Sequence, residues 1–300
     1  MEKKVLENIN VKNFTAPSQQ VYTLGQNLRL GIVGRGFVGG AVSHGFNTKY
    51  VEQYIVDPRF SDLKLKDLVN KDPHVIFICV PTPSRVTDSI KGPVGSVDSD
   101  LIDTTLNSLS SMDYTGIIVI KSTVAPTVLQ SFRDDFTKLN IVYNPEFLTE
   151  VNANDDFINP PFQIFGGDWD DCTRIEQIYI KYSLVRPSPT FKLDIKAASF
   201  LKYTINSWLA TKVVFFNELR ELYATYDMST PWSEFVGVLA HEPRVGPSHM
   251  NVPGPDGQFG FGGNCFPKDT KAFVEESRNS ALLELLEKAI EINNNMRANT

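Results

Sequence analysis

Cysteine is scarce in this sequence of 300 residues, which has only three, Cys79, Cys172 and Cys265. An odd number of widely spaced cysteines excludes a disulfide framework and favours a reducing compartment, the cytoplasm. The four histidines show no HxxxH or HxxEH spacing. Together with the cysteines they form no ligand set typical of zinc, so the sequence predicts no metal site.

The sequence also lacks an excess of positive charge, since the formal net charge is −6 at pH 7. The chain therefore lacks the basic excess that nucleic-acid-binding proteins carry. Long apolar runs are absent too: the longest, Val75–Val80, is far shorter than the roughly 20 residues of a membrane-spanning helix. The polar start at Met1–Asn10 predicts no secretory signal. We expect a cytoplasmic protein without membrane or nucleic-acid partners.

What the sequence does contain is a regular alternation of strand-like and helix-like segments. Apolar runs such as Leu28–Val33, Val51–Val56 and Val75–Val80 alternate with helix-compatible stretches up to about residue 190. This alternation is typical of an α/β domain with a doubly wound parallel sheet of the Rossmann type.

The second part of the sequence has a different character. No glycine or proline interrupts the chain between Asp194 and Pro231, so a single long helix is predicted over about 194–227. Because this helix is apolar around much of its circumference, it needs cover on several sides, within a helical domain or at a subunit interface. Three segments are predicted: an N-terminal extension (1–27), the Rossmann-type domain (28–190) and an all-helical domain (191–300).

A glycine-rich turn follows the first strand. Gly34, Gly36 and Gly39 form a GxGxxG motif between an apolar strand and a helix, which is the setting that dinucleotide binding requires. Asp57 ends the second strand and can accept hydrogen bonds from the adenosine ribose, which favours NAD over NADP. The nearby Arg59 opposes that preference. The alternative is a glycine turn in an unrelated α/β protein.

A second informative stretch is GFGGNCFPKD, Gly260–Asp269. Its glycines let the backbone approach a ligand, and Pro267 suits the first turn of a helix. Cys265 would then lie at the N-terminus of that helix beside Lys268, which favours the thiolate, with Asp269 within one turn to relay protons. The alternative is a structural cysteine before an ordinary helix.

Two polar residues on the long helix form a third candidate. Lys202 and Asn206 are four positions apart, so they share one helix face, and both are polar on a helix expected to be mostly buried. The alternative is a solvated stripe that also includes Lys212 and Asn217.

Seven motifs then occur in the order in which one protein family carries them. They are GRGFVG (34–39), CVPTP (79–83), KSTV (121–124), NPEFL (144–148), LKYTIN (201–206), PRVGP (243–247) and GFGGNCFPKD (260–269). With them the sequence resembles the UDP-glucose/GDP-mannose (nucleotide-sugar) dehydrogenase family over about residues 28–300. The last motif is most similar to that of the family's UDP-glucose branch.

The resemblance implies an NAD-dependent, four-electron oxidation of the C6 alcohol of a nucleotide sugar, with UDP-glucose to UDP-glucuronate as the expected conversion. Cys265 would form a thiohemiacetal with the aldehyde and then a thioester, which water hydrolyses. The implied catalytic residues are Cys265, Lys202, Asn206, Asp269, Glu150, Thr123 and Glu146. Among them, Lys202 and Asn206 match oxyanion donors, Thr123 and Asp269 match positions that hold water, and Glu150 is the candidate base.

The resemblance also implies the binding residues and a partner. The cofactor positions are Gly34, Gly36, Phe37, Val38, Gly39, Asp57, Val80, Thr82, Thr123 and Lys268. The substrate positions are Phe147, Leu148, Thr149, Glu150, Lys202, Asn206, Arg244, His249, Gly262 and Gly263. Arg244 matches an arginine that reaches the sugar site of a neighbouring subunit, so a homodimer through the long helix is expected.

The sequence departs from the family in one main respect. The family continues into a third, nucleotide-binding domain that has no counterpart here, so the means of holding the uridine is open. Two alternatives therefore remain: a hydroxy-acid or other sugar dehydrogenase of the same superfamily, and a non-catalytic NAD-binding scaffold.

Overall fold

The computed structural model describes residues 27–88, 92–149, 151–278 and 280–298. Residues 1–26 of the predicted extension and the predicted site residue Glu150 lie outside the described residues. The strands are β1 (Leu28–Val33), β2 (Val51–Val56), β3 (Val75–Ile78), β4 (Ile117–Ile120), β5 (Asn140–Tyr143), β6 (Gln163–Gly167) and β7 (Thr190–Leu193). The helices are α1 (Phe37–Gly45), α2 (Leu65–Val69), α3 (Asp100–Ser111), α4 (Pro126–Asp135), α5 (Ala153–Ile158), α6 (Trp169–Tyr182), α7 (Ile195–Thr225), α8 (Trp232–Leu239), α9 (Phe266–Ser277) and α10 (Glu284–Ala298).

The strands form one seven-stranded sheet in the order β2-β1-β3-β4-β5-β6-β7. All neighbouring pairs are parallel except β5 and β6. Helices join most of the parallel strands, as their crossover connections require. The central strands β3 and β4 are buried along their whole length, which explains their continuous apolar sequences. The predicted Rossmann-type class is confirmed.

One strand departs from the parallel pattern. β6 runs antiparallel to β5, with Val142 opposite Gly167 and Tyr143 opposite Gly166. Within the described part of the connection, the six-residue α5 is the one helix, and β6 returns antiparallel beside β5. The segment that carries the NPEFL motif therefore stays at the carboxyl end of β5.

Aromatic rings form the core beside the glycine-rich helix α1. Phe157 of α5 occupies the space that a side chain at Gly45 would need. Tyr179 of α6 lies 5.1 Å from the ring of Phe46 and 6.1 Å from that of Phe77, between ring centroids. This packing fixes α1, and with it the glycine turn, against the sheet.

The chain divides into two compact units. The first contains the whole sheet and comprises the residues up to Val80, Thr105–Ser122 and Arg133–Ala198. The second contains most of α7 with α8, α9 and α10, and comprises Pro81–Thr104, Thr123–Phe132 and the residues from Ser199 onward.

The predicted long helix is confirmed as α7, with 31 residues. Asp194 stands at its start, where the side-chain Oδ1 accepts a hydrogen bond from the backbone N–H of Ala197 at 3.0 Å. Within the second unit, Tyr203 stacks on Phe273 of α9, with 5.4 Å between ring centroids. None of the helices in the described ranges combines the length and the apolarity that crossing a membrane needs.

Candidate active site

The glycine turn at the start of α1 has the geometry of a phosphate cradle. Gly34 has φ +87°, and a Cβ there would lie 2.7 Å from the carbonyl oxygen of Cys79. A Cβ on Gly39 would overlap the carbonyl oxygen of Gly34. At Gly36, in contrast, no atom comes closer than 3.8 Å to the same position. Packing thus requires glycine at positions 34 and 39. Gly36 leaves the backbone at the helix N-terminus open to an anionic ligand.

Asp57 is fixed at the end of β2, only 6% exposed. Its Oδ2 accepts a hydrogen bond from the backbone N–H of Arg35 at 2.7 Å, and its Oδ1 accepts one from that of Arg59 at 2.9 Å. The first of these contacts is the main cause that lowers the pKa of this carboxyl group, so it is ionised at neutral pH. The carboxylate is oriented by the same turn that forms the cradle.

Cys265 immediately precedes α9, and Pro267 stands in the first turn as predicted. The cysteine carbonyl accepts the backbone N–H of Asp269 at 2.8 Å, which starts the helix. Cys265 is partly exposed, whereas the other two cysteines are buried. The thiol therefore lies at a helix N-terminus, where the helix dipole favours negative charge.

A buried polar network lies behind this helix end. Asn206 of α7 donates from its Nδ2 to Oδ2 of Asp269 at 2.6 Å, and Nζ of Lys268 pairs with Oδ1 of the same carboxylate. Asp269 is 1% exposed and Lys202, one turn before Asn206, is 3% exposed. The structure thus places four residues predicted for the site on facing parts of α7 and α9.

The alternative of a solvated stripe on α7 is wrong, because Lys212 and Asn217 are buried as well. Nζ of Lys212 donates to the carbonyl oxygens of Val245 and Gly246 at 2.9 and 3.0 Å, and burial lowers the pKa of the lysine. Oδ1 of Asn217 accepts the backbone N–H of Gly260 at 2.9 Å. These two side chains hold the loops that carry the PRVGP and GFGGNCFPKD motifs.

Asn293 and Arg297 of α10 complete the support of the cysteine loop, and neither is predicted from the sequence. Oδ1 of Asn293 accepts the N–H of Phe261 at 2.6 Å, and its Nδ2 donates to the carbonyl of Phe261 at 3.1 Å. Nε of Arg297 donates to the same carbonyl at 3.1 Å. The only signal would have been polar residues at positions 293 and 297, four apart on one face of a predicted helix.

The NPEFL segment is held to the sheet of the first unit. Nζ of Lys121 and the hydroxyl of Tyr179 both donate to Oδ1 of Asn144, at 2.9 and 2.7 Å. Oε2 of Glu146 accepts the N–H of Leu148 at 2.8 Å. Four of the predicted residues, Glu146, Phe147, Leu148 and Thr149, line one cavity of about 250 Å³. A larger cavity of about 440 Å³ beside β7 contains none of the predicted site residues.

The remaining predicted residues lie in different settings. Val80 belongs to the first unit, and Thr82 and Thr123 to the second, where both are buried. Arg244 is exposed, and its guanidinium pairs with Glu242 at 2.7 Å. His249 has φ +63°, its ring lies 5.5 Å from that of Phe266, and burial lowers its pKa. Gly262 and Gly263 lie in the loop that leads to Cys265. No cluster of metal-binding side chains occurs among the described residues.

The three cysteines are expected to differ sharply in reactivity. Burial raises the pKa of the Cys79 thiol to about 12 and that of the Cys172 thiol to about 12, so neither forms thiolate at neutral pH. Iodoacetamide at pH 7.5 should therefore label Cys265 alone in the folded protein, as read by peptide mass spectrometry. The Cys265→Ser variant should stay unlabelled, and the unfolded chain should take up three labels. Labelling of Cys79 as fast as Cys265 would contradict the assignment.

Comparison with known protein families gives two matches, both within one family. The NAD binding domain of the UDP-glucose/GDP-mannose dehydrogenase family matches residues 62–183, and the central domain of the same family matches residues 196–295.

Individual proteins agree with these matches. The chain is 28% identical over 260 residues to the UDP-glucose 6-dehydrogenase AglM of Haloferax volcanii, covering 81% of this chain and 57% of the relative. It is 31% identical over 233 residues to the UDP-glucose 6-dehydrogenase of Rickettsia conorii, covering 75% and 49%. The chain thus spans about half the length of the curated relatives it matches. A UDP-glucose dehydrogenase from Pyrobaculum islandicum has a similar fold, with a TM-score of 0.74, 21% identity, and coverage of 93% of this chain and 71% of that one.

Proposed function

Because the chain belongs to the UDP-glucose/GDP-mannose dehydrogenase family and carries its NAD-binding domain, we propose that it oxidises the C6 alcohol of a nucleotide sugar to a carboxylate. UDP-glucose is the proposed substrate, since the curated relatives above are named for it. The observation that carries the proposal is the placement of Cys265 at the start of α9, whose buried Asp269 is hydrogen-bonded to Asn206. An ordinary structural cysteine would need no such network.

The first unit fits the cofactor. The open backbone at Gly36 suits a diphosphate, and the ionised carboxylate of Asp57 suits a ribose diol. NAD, when bound, accepts a hydride in each of the two oxidations. Gly34, Gly36, Gly39 and Asp57 are the proposed cofactor-binding residues of this unit, together with Phe37, Val38 and Val80. Thr82, Thr123 and Lys268 match further cofactor positions of the family and are proposed on that ground.

Cys265 is the proposed nucleophile. Its Sγ adds to C6 of the aldehyde that the first oxidation leaves, and the oxygen becomes the hydroxyl of a thiohemiacetal. Loss of hydride from the same carbon, with a proton from the hydroxyl, gives a thioester on Cys265. Water then attacks the thioester carbonyl, releases the carboxylate and returns the thiolate.

The buried polar groups on α7 and α9 suit the remaining tasks. Lys202 and the amide of Asn206 are the proposed donors to the oxyanions that form at C6. Asp269, which accepts from Asn206, and Thr123 are the proposed holders of the attacking water. Glu150 is the proposed base for hydrolysis.

The NPEFL segment supplies the proposed sugar contacts of the first unit. Glu146, Phe147, Leu148 and Thr149 line one cavity, and the hydrogen bonds of Asn144 fix the start of that segment. Glu146 is proposed as the acidic partner of Glu150. The proposed sugar contacts of the second unit are Lys202, Asn206, His249, Gly262 and Gly263.

The direct test is the stoichiometry of the reaction. With limiting UDP-glucose and excess NAD, we expect two NADH per sugar by absorbance and UDP-glucuronate by mass spectrometry, because both oxidations occur at C6. GDP-mannose and UDP-N-acetylmannosamine serve as competing substrates. Absence of NADH with every nucleotide sugar, while NAD still binds, would favour the scaffold alternative. Oxidation of small hydroxy acids alone would favour the other dehydrogenase.

A homodimer is the proposed assembly. Phe200, Trp208, Phe215 and Leu222 recur along α7 at spacings of seven or eight residues, which places them on one face, and each is more than half exposed. A stripe of this size on the longest helix is typical of a protein interface. Arg244 is then proposed to reach the sugar site of the partner.

Replacing Trp208 by arginine should convert the dimer to a monomer. A charge in the middle of the stripe would be buried without a partner on assembly. Light scattering after gel filtration measures the mass. The control is Ile180→Arg, an equally drastic change at an exposed apolar residue of α6, which should leave the dimer intact. A wild-type protein that is monomeric at micromolar concentration would refute the proposed assembly.

A further inference from the structure

Two arginines lie over one aromatic ring, that of Phe60, three residues after Asp57. The guanidinium of Arg35 lies 5.1 Å from the ring centroid of Phe60, and that of Arg59 lies 5.5 Å from the same centroid. Phe60 is exposed, as is the side chain of Arg59. Arg35, Arg59 and Phe60 form one group, in which the ring lies within cation–π distance of both guanidiniums.

This group lies beside the cradle for the dinucleotide. A terminal nitrogen of Arg59 is the atom nearest to the open Cβ position of Gly36, at 3.8 Å. Arg35 lies within the glycine turn itself, and its N–H donates to Asp57. Since the acid at the end of the second strand marks the adenosine ribose, Arg59 lies near the expected position of the 2′ substituent of that ribose. The guanidinium of Arg35 lies over the same ring of Phe60 as that of Arg59.

The charges around Asp57 do not favour exclusion of an anion. Both carboxylate oxygens already accept a backbone N–H, and Nε of Arg59 lies 3.7 Å from Oδ1. The guanidinium of Arg35 makes no ion pair with any described residue. One carboxylate and two guanidiniums thus lie around this turn, and the sum of their formal charges is positive. A lone acid repels a 2′-phosphate, whereas planar guanidinium groups bind phosphate by paired hydrogen bonds.

We propose that this site accepts NADP as well as NAD, with Arg59 and Arg35 binding the 2′-phosphate and the ring of Phe60 packing against both guanidiniums. Asp57 accepts hydrogen bonds from the ribose diol of NAD. When NADP binds instead, the two arginines offset the repulsion between the Asp57 carboxylate and the 2′-phosphate. The proposal concerns cofactor binding alone and stands whether or not the chain oxidises a nucleotide sugar.

Calorimetric titration of the full chain with NAD⁺ and NADP⁺ tests it without any turnover. We expect NADP⁺ to bind within about tenfold of NAD⁺, because each hydrogen bond to a charged group offsets part of the repulsion. Arg59→Gln and Arg35→Gln should each weaken NADP⁺ about tenfold and change NAD⁺ less than about threefold. Added salt should weaken NADP⁺ binding more steeply than NAD⁺ binding.

Two further variants make the result decisive. Arg186→Gln removes an exposed arginine of the same unit that makes no ion pair with described residues, and it should change neither affinity. Asp57→Asn should favour NADP⁺ over NAD⁺. If NADP⁺ does not bind at a concentration about a hundredfold above the NAD⁺ dissociation constant, the proposal is overturned. Equal weakening of both cofactors by the arginine variants would overturn it too, since the arginines would then contact only what the cofactors share.

Discussion

Cys265→Ala is expected to lower the steady-state rate of NADH formation from UDP-glucose by about a thousandfold or more, as removal of a nucleophile does in other enzymes. In the proposed reaction the aldehyde then has no covalent partner, so the second oxidation lacks its substrate, the thiohemiacetal. At most one NADH should form per sugar. The rate is read from NADH absorbance, and the product from mass spectrometry.

The matched control for this variant is Cys172→Ala. Cys172 is a buried cysteine of α6 in the first unit. Its replacement removes one sulfur and leaves the polar network of Asn206, Lys268 and Asp269 unchanged. It should keep the wild-type stoichiometry. Two NADH per sugar at a near wild-type rate in Cys265→Ala would remove the thiol from the mechanism.

Asp269→Ala is expected to damage both the fold and the reaction. The carboxylate is buried and satisfies the amide of Asn206 and the ammonium of Lys268, and its removal leaves both groups without this acceptor. The expected loss is about 2–3 kcal/mol of unfolding free energy. For a domain of this size that lowers Tm by about 5–10 °C. The rate should fall about a hundredfold, because Asn206 loses its hydrogen-bond acceptor and the proposed attacking water loses its holder.

Asp269→Asn separates the two effects, since it preserves the shape and an acceptor oxygen but removes the charge. It should recover most of the Tm and little of the rate. Glu276→Ala is the control on the same helix: its partly exposed carboxylate accepts hydrogen bonds from Thr127, and its loss should cost less than about 1 kcal/mol. An Asp269→Ala protein with wild-type Tm and rate would contradict the assigned network.

The parts of the fold that the sequence predicts well are those in which local signals agree. β1, the glycine turn and α1 form such a case, because an apolar run, three glycines and a helix start follow one another. α7 is another, because no helix breaker interrupts it. In both cases the information lies within one segment of the chain.

The elements missing from the sequence analysis depend on distant contacts. α5 has only six residues, and Phe157 packs it into the space left by Gly45. β7 pairs with a single neighbour, β6, and is only half-buried. α8 follows Pro231 and packs into a cluster with Phe216 of α7. Short elements like these are marginal alone, so tertiary packing decides their existence.

The candidate site also contains residues that local sequence signals predict and residues whose role depends on distant contacts. Cys265, Lys202, Asn206 and Asp269 stand out as chemically informative types within motifs. Asn293 does not, because its role comes from the position of α10 beside the cysteine loop. Lys212 and Asn217 look like solvent-facing residues in sequence, and only the loops they hold reveal why they are buried.

The two asparagine contacts on either side of the cysteine loop have a consequence for its motion. Gly260 is tied to Asn217 in the middle of α7, and Phe261 to Asn293 near the end of α10. The two anchoring helices differ in length, since α7 has 31 residues and α10 has 15. The cysteine loop is therefore expected to open with the shorter of its two anchors, α10. Exchange of the Phe261 amide with solvent should then follow local opening of that helix rather than global unfolding.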